Sequence, residues 1–480
     1  MKKIIWLLLI GIIAIVGGCE HDADTLGSQT VDYDFSQVAT EDIAYGTHVQ
    51  LILNEYAGIL RRENIYPGGL ALESWNSLIN GWERGEVIIP FDSDNSLLIE
   101  LTAKLDYENK LRDDKLDLLQ RWIDKGAKND AGDVPFANSK NRIYVCSQGE
   151  AIINIIDADR MVVMRNVDLT DYGLPRSAKP HHIAFSADQR SWFVSCIDNQ
   201  VNKVLKFDIE TNQLLGEAVT EIPALLAHHP SVNELYVSRF MLNNNTTSIH
   251  VLDSETMQPA VSGSGGDILL PPGLSIAHAM ALDKTGTYAY TASFAQDAFL
   301  VVNHASKEFV ESIDLGNDRT PLQVTVSPDN NRVYISCIGT GEIVSFDVSD
   351  PNNRFENAAV TLGGAPWHSA VTPDGASLYT GNLMMNNFAL INTASFTAQT
   401  FGAGDGSDGL SQPHGVTMNS DGSRLFISNR NTTRNYAPGI NLGDNAAIGT
   451  VVAINTTDNS IEKIIEIENF GSGMRFIALD

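Results

Sequence analysis

One phrase recurs seven times between about Tyr144 and Phe426. An aromatic or apolar strand ends on a small or polar residue, and a second apolar strand then closes on Asp or Asn. The first strands read IYVCS, WFVSC, LYVSR, AYTAS, VYISC, LYTGN and LFISN, and their partners close on Asp157, Asp208, Asp253, Asn303, Asp347, Asn392 and Asn455. Short strands and polar turns repeating at about 45 residues close into a β-propeller, one blade per repeat. This pattern fixes the architecture and says far less about activity.

Each later blade opens on an inner strand with its own phrase: HHIAFSADQ, ALLAHHPSV, AHAMALDKTG, LQVTVSPDN, HSAVTPDG and HGVTMNSDG. Their Asp-Gly and Asp-Asn pairs supply tight turns, which need residues tolerant of positive φ. Blade one lacks an inner strand, because Asn141 runs directly into IYVCS. The chain ends on GMRFIALD, similar to HAMALD in blade four, so the C-terminus is expected to supply that strand and close the ring. Closure removes the exposed edges of an open sheet. The V-S-P-D-G turn and the strand-end Asn resemble propellers of the YVTN type. The resemblance spans 135–480 and implies fold more than function, since such propellers serve many roles.

The N-terminus, MKKIIWLLLIGIIAIVGGC, pairs two lysines with an apolar run and small residues, the pattern of a signal peptide over 1–18. Val16, Gly17 and Gly18 ahead of Cys19 resemble a bacterial lipobox, which implies lipidation of Cys19 and an outer-membrane lipoprotein on the cell surface or facing the periplasm. Residues 19–40 read as an acidic tether, resembling the surface-export signals of Bacteroidota lipoproteins. A net charge of −27 argues against a nucleic-acid partner or a polyanionic substrate, and suits cationic ligands or divalent metals. Cys146, Cys196 and Cys337 remain, an odd number at strand ends, so no disulfide framework is expected.

Residues 41–132 have a different pattern. THVQLILNEYAGILRRE and DDKLDLLQRWIDKGA carry apolar residues at helical spacing, the second through Leu116, Leu119, Trp122 and Ile123, with Gly126 at the stop. The order of Gly68-Gly69-Leu70, Leu72, Ser74, Pro90, Ser96-Leu97-Leu98, Leu118-Leu119, Trp122-Ile123 and Gly126-Ala127 resembles the cytochrome c-like domain of planctomycete and Bacteroidota secreted proteins. Covalent haem needs C-x-x-C-H. The corresponding stretch, LNEYAGILRREN, holds neither cysteine nor histidine, and His48 lies outside such a motif. The expectation is a small all-α domain that keeps the fold without the haem and serves for docking or spacing.

Counting back from each turn aligns His181, Ala224, His278, Leu322, Trp367, His414 and Arg475 in one inner-strand slot, with His182 and His368 in the next. The second strands return to the same face with Cys196, Arg239 and Cys337 at their ends, followed by loops holding Met241, Met384-Met385 and a long insertion at about 430–449. These residues form the expected ligand site: His181, His182, His278, His368, His414, Arg239, Trp367 and Arg475. Imidazole with sulfur also suits copper, through His181, His278, His414, Cys196 and Cys337. The phrases PHG and PWH resemble strand starts of the nitrous-oxide reductase propeller, although the other ligands do not follow it. His228 and His229 fall at the opposite face and, with His250 and His304, read as exposed turn or outer-strand residues.

No nucleophile elbow, zinc-protease, P-loop or dinucleotide motif is present. The preferred expectation is a lipid-anchored binding protein with no catalytic residues. It would present one propeller face to a ligand or an envelope partner such as an outer-membrane transporter. The alternative is a copper-binding or redox-accessory protein. A lactonase ranks last, because the inner-strand slots hold no Asp or Glu for calcium.

Overall fold

The computed structural model describes residues 33–63, 66–104, 111–240, 247–260, 266–440 and 448–480. Cys19 and Met241 therefore lie outside the described residues, as does part of the long insertion. Seven four-stranded antiparallel sheets make a seven-bladed propeller. Blade one combines Gly471–Ala478 with Asn141–Ser147, Ile152–Asp157 and Val162–Asp168. In its closing pair Tyr144 faces Arg475 and Val145 faces Met474. The ring thus closes where the sequence expected.

The strand-end Asp or Asn of each repeat has a local purpose. Asp208 Oδ1 accepts from the backbone N–H groups of Glu210 (3.0 Å) and Thr211 (2.7 Å), and Asp253 does the same for Glu255 and Thr256. Short carboxylate and amide side chains favour such turns because they reach their own backbone two and three residues on. Four residues after the Asp or Asn, the chain turns left-handed at Met161, Asn212, Met257, Lys307, Phe396 and Asn459, none of them glycine.

The innermost strands are Gly471–Ala478, Pro180–Phe185, Pro223–His228, Ala281–Leu282, Pro321–Val326, Pro366–Val371 and Pro413–Met418. Five begin on proline, which a first strand position tolerates because no ladder donor is lost there. The preceding residue has positive φ at Lys179, Ile222, Thr320, Gln412, Phe470 and, ahead of the short blade-four strand, Ile276. Just past each second strand, a backbone N–H bonds to the carbonyl of that residue or its counterpart. Examples are Ile197 to Lys179 (3.1 Å), Phe240 to Ile222 (2.9 Å), Phe294 to Ile276 (3.0 Å) and Arg430 to Gln412 (3.1 Å).

The helical region contains Gln50–Arg62, Trp75–Ile79, Leu97–Glu100 and Asp113–Asp124. The last helix buries Leu118, Leu119, Trp122 and Ile123, so Leu118 replaces the expected Leu116 in the stripe. Phe35, placed by sequence in the tether, is buried in the same core, and its N–H reaches Asp114. The folded region therefore starts before residue 41. His48 Nδ1 accepts from the Ala44 N–H, a local role at a helix start. Among the described residues no helix is long and apolar enough to cross a membrane.

This region lies against the outer strands of blades one and seven, Val162–Asp168 and Ile461–Ile467, which belong to the blades where the chain ends meet. Glu466 N–H bonds to the Arg84 carbonyl (2.9 Å), Arg165 to the Pro90 carbonyl (2.5 Å) and Val163 N–H to Glu86 (3.3 Å). Glu86 is half-buried beside Glu468 and Glu466. Burial first, and those carboxylates second, push its pKa up to about 8.

Candidate functional site: a histidine-floored channel

The ladder slips at the start of the inner strands. Register shifts fall between Pro180 and His182, Pro321 and Gln323, Pro366 and Ser369, and Pro413 and Val416. A bulge re-aims the side chain it displaces, and the displaced residues include His181, Leu322, Trp367, His368 and His414. Glycine allows the strands to crowd: a Cβ on Gly473 would lie 2.1 Å from the His181 carbonyl oxygen, and one on Gly415 would lie 2.4 Å from that of Ser472.

Five histidines consequently meet near the axis. Ring centroids lie 5.4 Å apart for His181–His278, 6.0 Å for His181–His414, 4.9 Å for His368–His414 and 6.1 Å for His182–His368. All five are buried. The His278 Nδ1 lies 2.9 Å from the Leu322 carbonyl, which only accepts, so Nδ1 carries the proton. His278 Nε2 is then bare and accepts from His181 Nε2 at 3.2 Å. That leaves His181 Nδ1 as a buried acceptor without a partner, alongside both nitrogens of His414 and Nε2 of His368. Burial drives every one of these imidazoles toward the neutral form, to about 4 for His278 and about 3 for His368.

Residues that the register count did not select roof this cluster. Arg430 lies 4.7 Å over the Trp367 ring and 4.8 Å over Phe470. Phe240 meets His278 edge-on at 5.4 Å and Phe294 at 6.0 Å. Phe240, Phe294 and Arg430 share one slot, the residue just after the second strand. Extending the register count by one residue would have found them.

On the other side, the inner strands of all seven blades enclose a channel of about 470 Å³. It reaches His182 and His368, while His181, His278 and His414 lie beyond them, buried. Its far end is edged by His228, Pro230 and Lys284. Arg475 projects into it, accessible to channel water yet deep within the ring, and the surrounding protein lowers its pKa.

The other expected site residues lie elsewhere. Arg239 pairs with Asp267 (3.1 Å) and Ser248 (2.7 Å) within its own blade. Cys196 and Cys337 are buried in apolar packing between sheets, where burial pushes both thiols up to about 12. The structure therefore does not join them to the histidines. Met384 and Met385 are exposed on a loop. The expectation of exposed histidines is corrected: His229 and His250 are buried. His229 Nδ1 takes the place of the turn Asp by accepting from Ser231 N–H (3.1 Å) and Val232 N–H (3.2 Å). His228 and His304 are half-buried. Among the described residues, no group of three or more His, Cys, Asp or Glu is arranged to hold a metal ion.

This closed ring with an axial cavity is a seven-bladed β-propeller of lactonase-like fold. The family described as Lactonase, 7-bladed beta-propeller, matches residues 273–464. Among solved structures, the chain is similar to a periplasmic gluconolactonase of Pseudomonas aeruginosa, at 13% identity and a TM-score of 0.54. That match covers 71% of this chain and 99% of that one. A functionally unknown protein from Desulfotomaculum acetoxidans matches at 14% identity and a TM-score of 0.53, over 71% of this chain and 100% of its own. A Lactobacillus plantarum protein matches at 14% and 0.52, over 70% and 99%. Identities this low bear on the fold alone. No curated protein sequence matches the chain. The cytochrome-like reading of the helical region and the lipoprotein reading gain no support from these matches.

Proposed function

We propose that this protein is an envelope-anchored binding propeller that takes a small ligand into its central channel without turning it over. The channel carries the reading: about 470 Å³, walled by all seven inner strands and floored by neutral histidines. Cavities of this size suit small-molecule ligands. A general base works best with a pKa near the working pH, and an imidazole at about 3, like His368, is a poor one. Asp283 is the one carboxylate among the described lining residues. Its oxygens are occupied by the N–H groups of Thr285 (2.9 Å), Thr287 (3.0 Å) and Tyr288 (2.9 Å).

The Pseudomonas protein is named a gluconolactonase, so glucono-lactone and gluconate are the first ligands to test. Calorimetry is expected to show binding of one of them, with lactone opening no faster than in buffer. Acceleration of ring opening that disappears in His368→Ala would replace this reading with a lactonase.

The anchor belongs to the same proposal. Lipidated Cys19 would hold the propeller at the outer membrane, with the haemless helical region as the docking element for an envelope protein. Cys19→Ser is expected to move the protein from the membrane fraction to the soluble one. The copper alternative is left with the 3.2 Å approach of two imidazole nitrogens and no third described ligand.

A further inference from the structure

The channel wall is unusual in charge for a chain of net −27. Two cations meet there, Arg475 from the blade-one inner strand and Lys284 from the turn after the blade-four inner strand. Neither side chain forms an ion pair or a hydrogen bond among the described residues, whereas Arg239, Arg319, Arg354, Lys203 and Lys307 each have a carboxylate. They sense one another: burial first and the Arg475 charge second lower the Lys284 pKa. A third cation, Arg430, stands behind the histidines, and its charge helps keep His414 and His181 neutral.

Both side chains are open to channel water and have no carboxylate partner, so a ligand entering the channel meets two unneutralised cations. Low-dielectric walls also focus the field into the cleft, so a local positive potential survives inside an acidic exterior. Asp283, the one carboxylate among the described lining residues, is turned back onto its own backbone N–H groups and pairs with neither cation. Gln323 and Thr417 add polar lining.

We propose that Arg475 and Lys284 form an oxyanion site, so that the channel ligand is a small anion bearing a carboxylate or phosphate. This rests on the channel being the binding site. Guanidinium and ammonium groups both donate charge-assisted hydrogen bonds to such oxygens. His182 and His368 would contact the uncharged remainder at the floor.

Calorimetry on the full chain with gluconate, inorganic phosphate and neutral glucitol tests this. The first two distinguish a carboxylate from a phosphate source. At least one anion is expected to bind more tightly than glucitol and to weaken as salt rises. Arg475→Gln and Lys284→Gln should each weaken it by about tenfold or more, and Arg475→Lys should recover part of the loss. Unchanged melting temperatures would show that the variants fold. Anions that bind no better than glucitol, or that ignore both substitutions, overturn the oxyanion site. Glucitol binding that Ala370→Trp blocks would then leave the channel reading standing. Failure of all three probes would remove both.

Discussion

At the scale of single residues, side chains that look functional in the sequence divide by where backbone turns aim them. His181, His368 and His414 reach the axis because a bulge displaces them, while Cys196 and Cys337 sit in the regular ladder and point into packing between blades. The strand-end Asp is structural. Asp253→Ala should cost about 1 kcal/mol, because it leaves the Glu255 and Thr256 N–H groups uncapped. Urea unfolding would measure it as a lower midpoint at unchanged slope. His414→Phe tests the floor. Replacing a fully buried imidazole whose two nitrogens lack partners with a ring of similar shape should be neutral or stabilising. A loss of several kcal/mol would overturn that expectation.

At the scale of elements, inner strands are legible from their turns but their packing distance is not. Gly473 sits where the C-terminal strand crosses the strand carrying His181, and a methyl group there would collide with backbone. Gly473→Ala should destabilise by about 1–3 kcal/mol, read as a lower thermal midpoint. The helical region offers a pH test. Glu86 has a folded-state pKa of about 8, above its ordinary carboxylate value, so the folded form retains a proton that the unfolded form releases. Its contribution to stability is therefore full below the ordinary value, falls as pH rises, and levels off above about 8. Glu86→Gln should reduce that slope between pH 5 and 8, leaving the part contributed by Glu466 and Glu468, which burial also raises. A wild-type melting temperature that does not fall over this range relative to Glu86→Gln would contradict the buried-carboxyl account.

At the scale of the whole molecule, closure joins the two ends of the propeller, and the helical region packs on both blades beside that seam. Removing residues 471–480 should expose the edge of Asn141–Ser147 and replace one cooperative transition with a broad one, visible by calorimetry. The repeat, the blade count and the closing strand were readable because periodic strands and Asx turns are local: each is written within a few residues of where it acts. The register that gathers the histidines was readable for the same reason. Arg430, Phe240 and Phe294 lay one residue beyond the aligned slot, and Lys284 was not singled out because its importance comes from partners on other blades. Burial of His229 and His250 was missed because a local turn pattern does not report what a neighbouring blade lays over it. What the sequence alone determined is a ring of seven blades with histidines at the strand starts. Only the tertiary structure decided that the ring leaves a cation-bearing channel stopped by neutral imidazoles, since burial and charge depend on what surrounds a side chain in space.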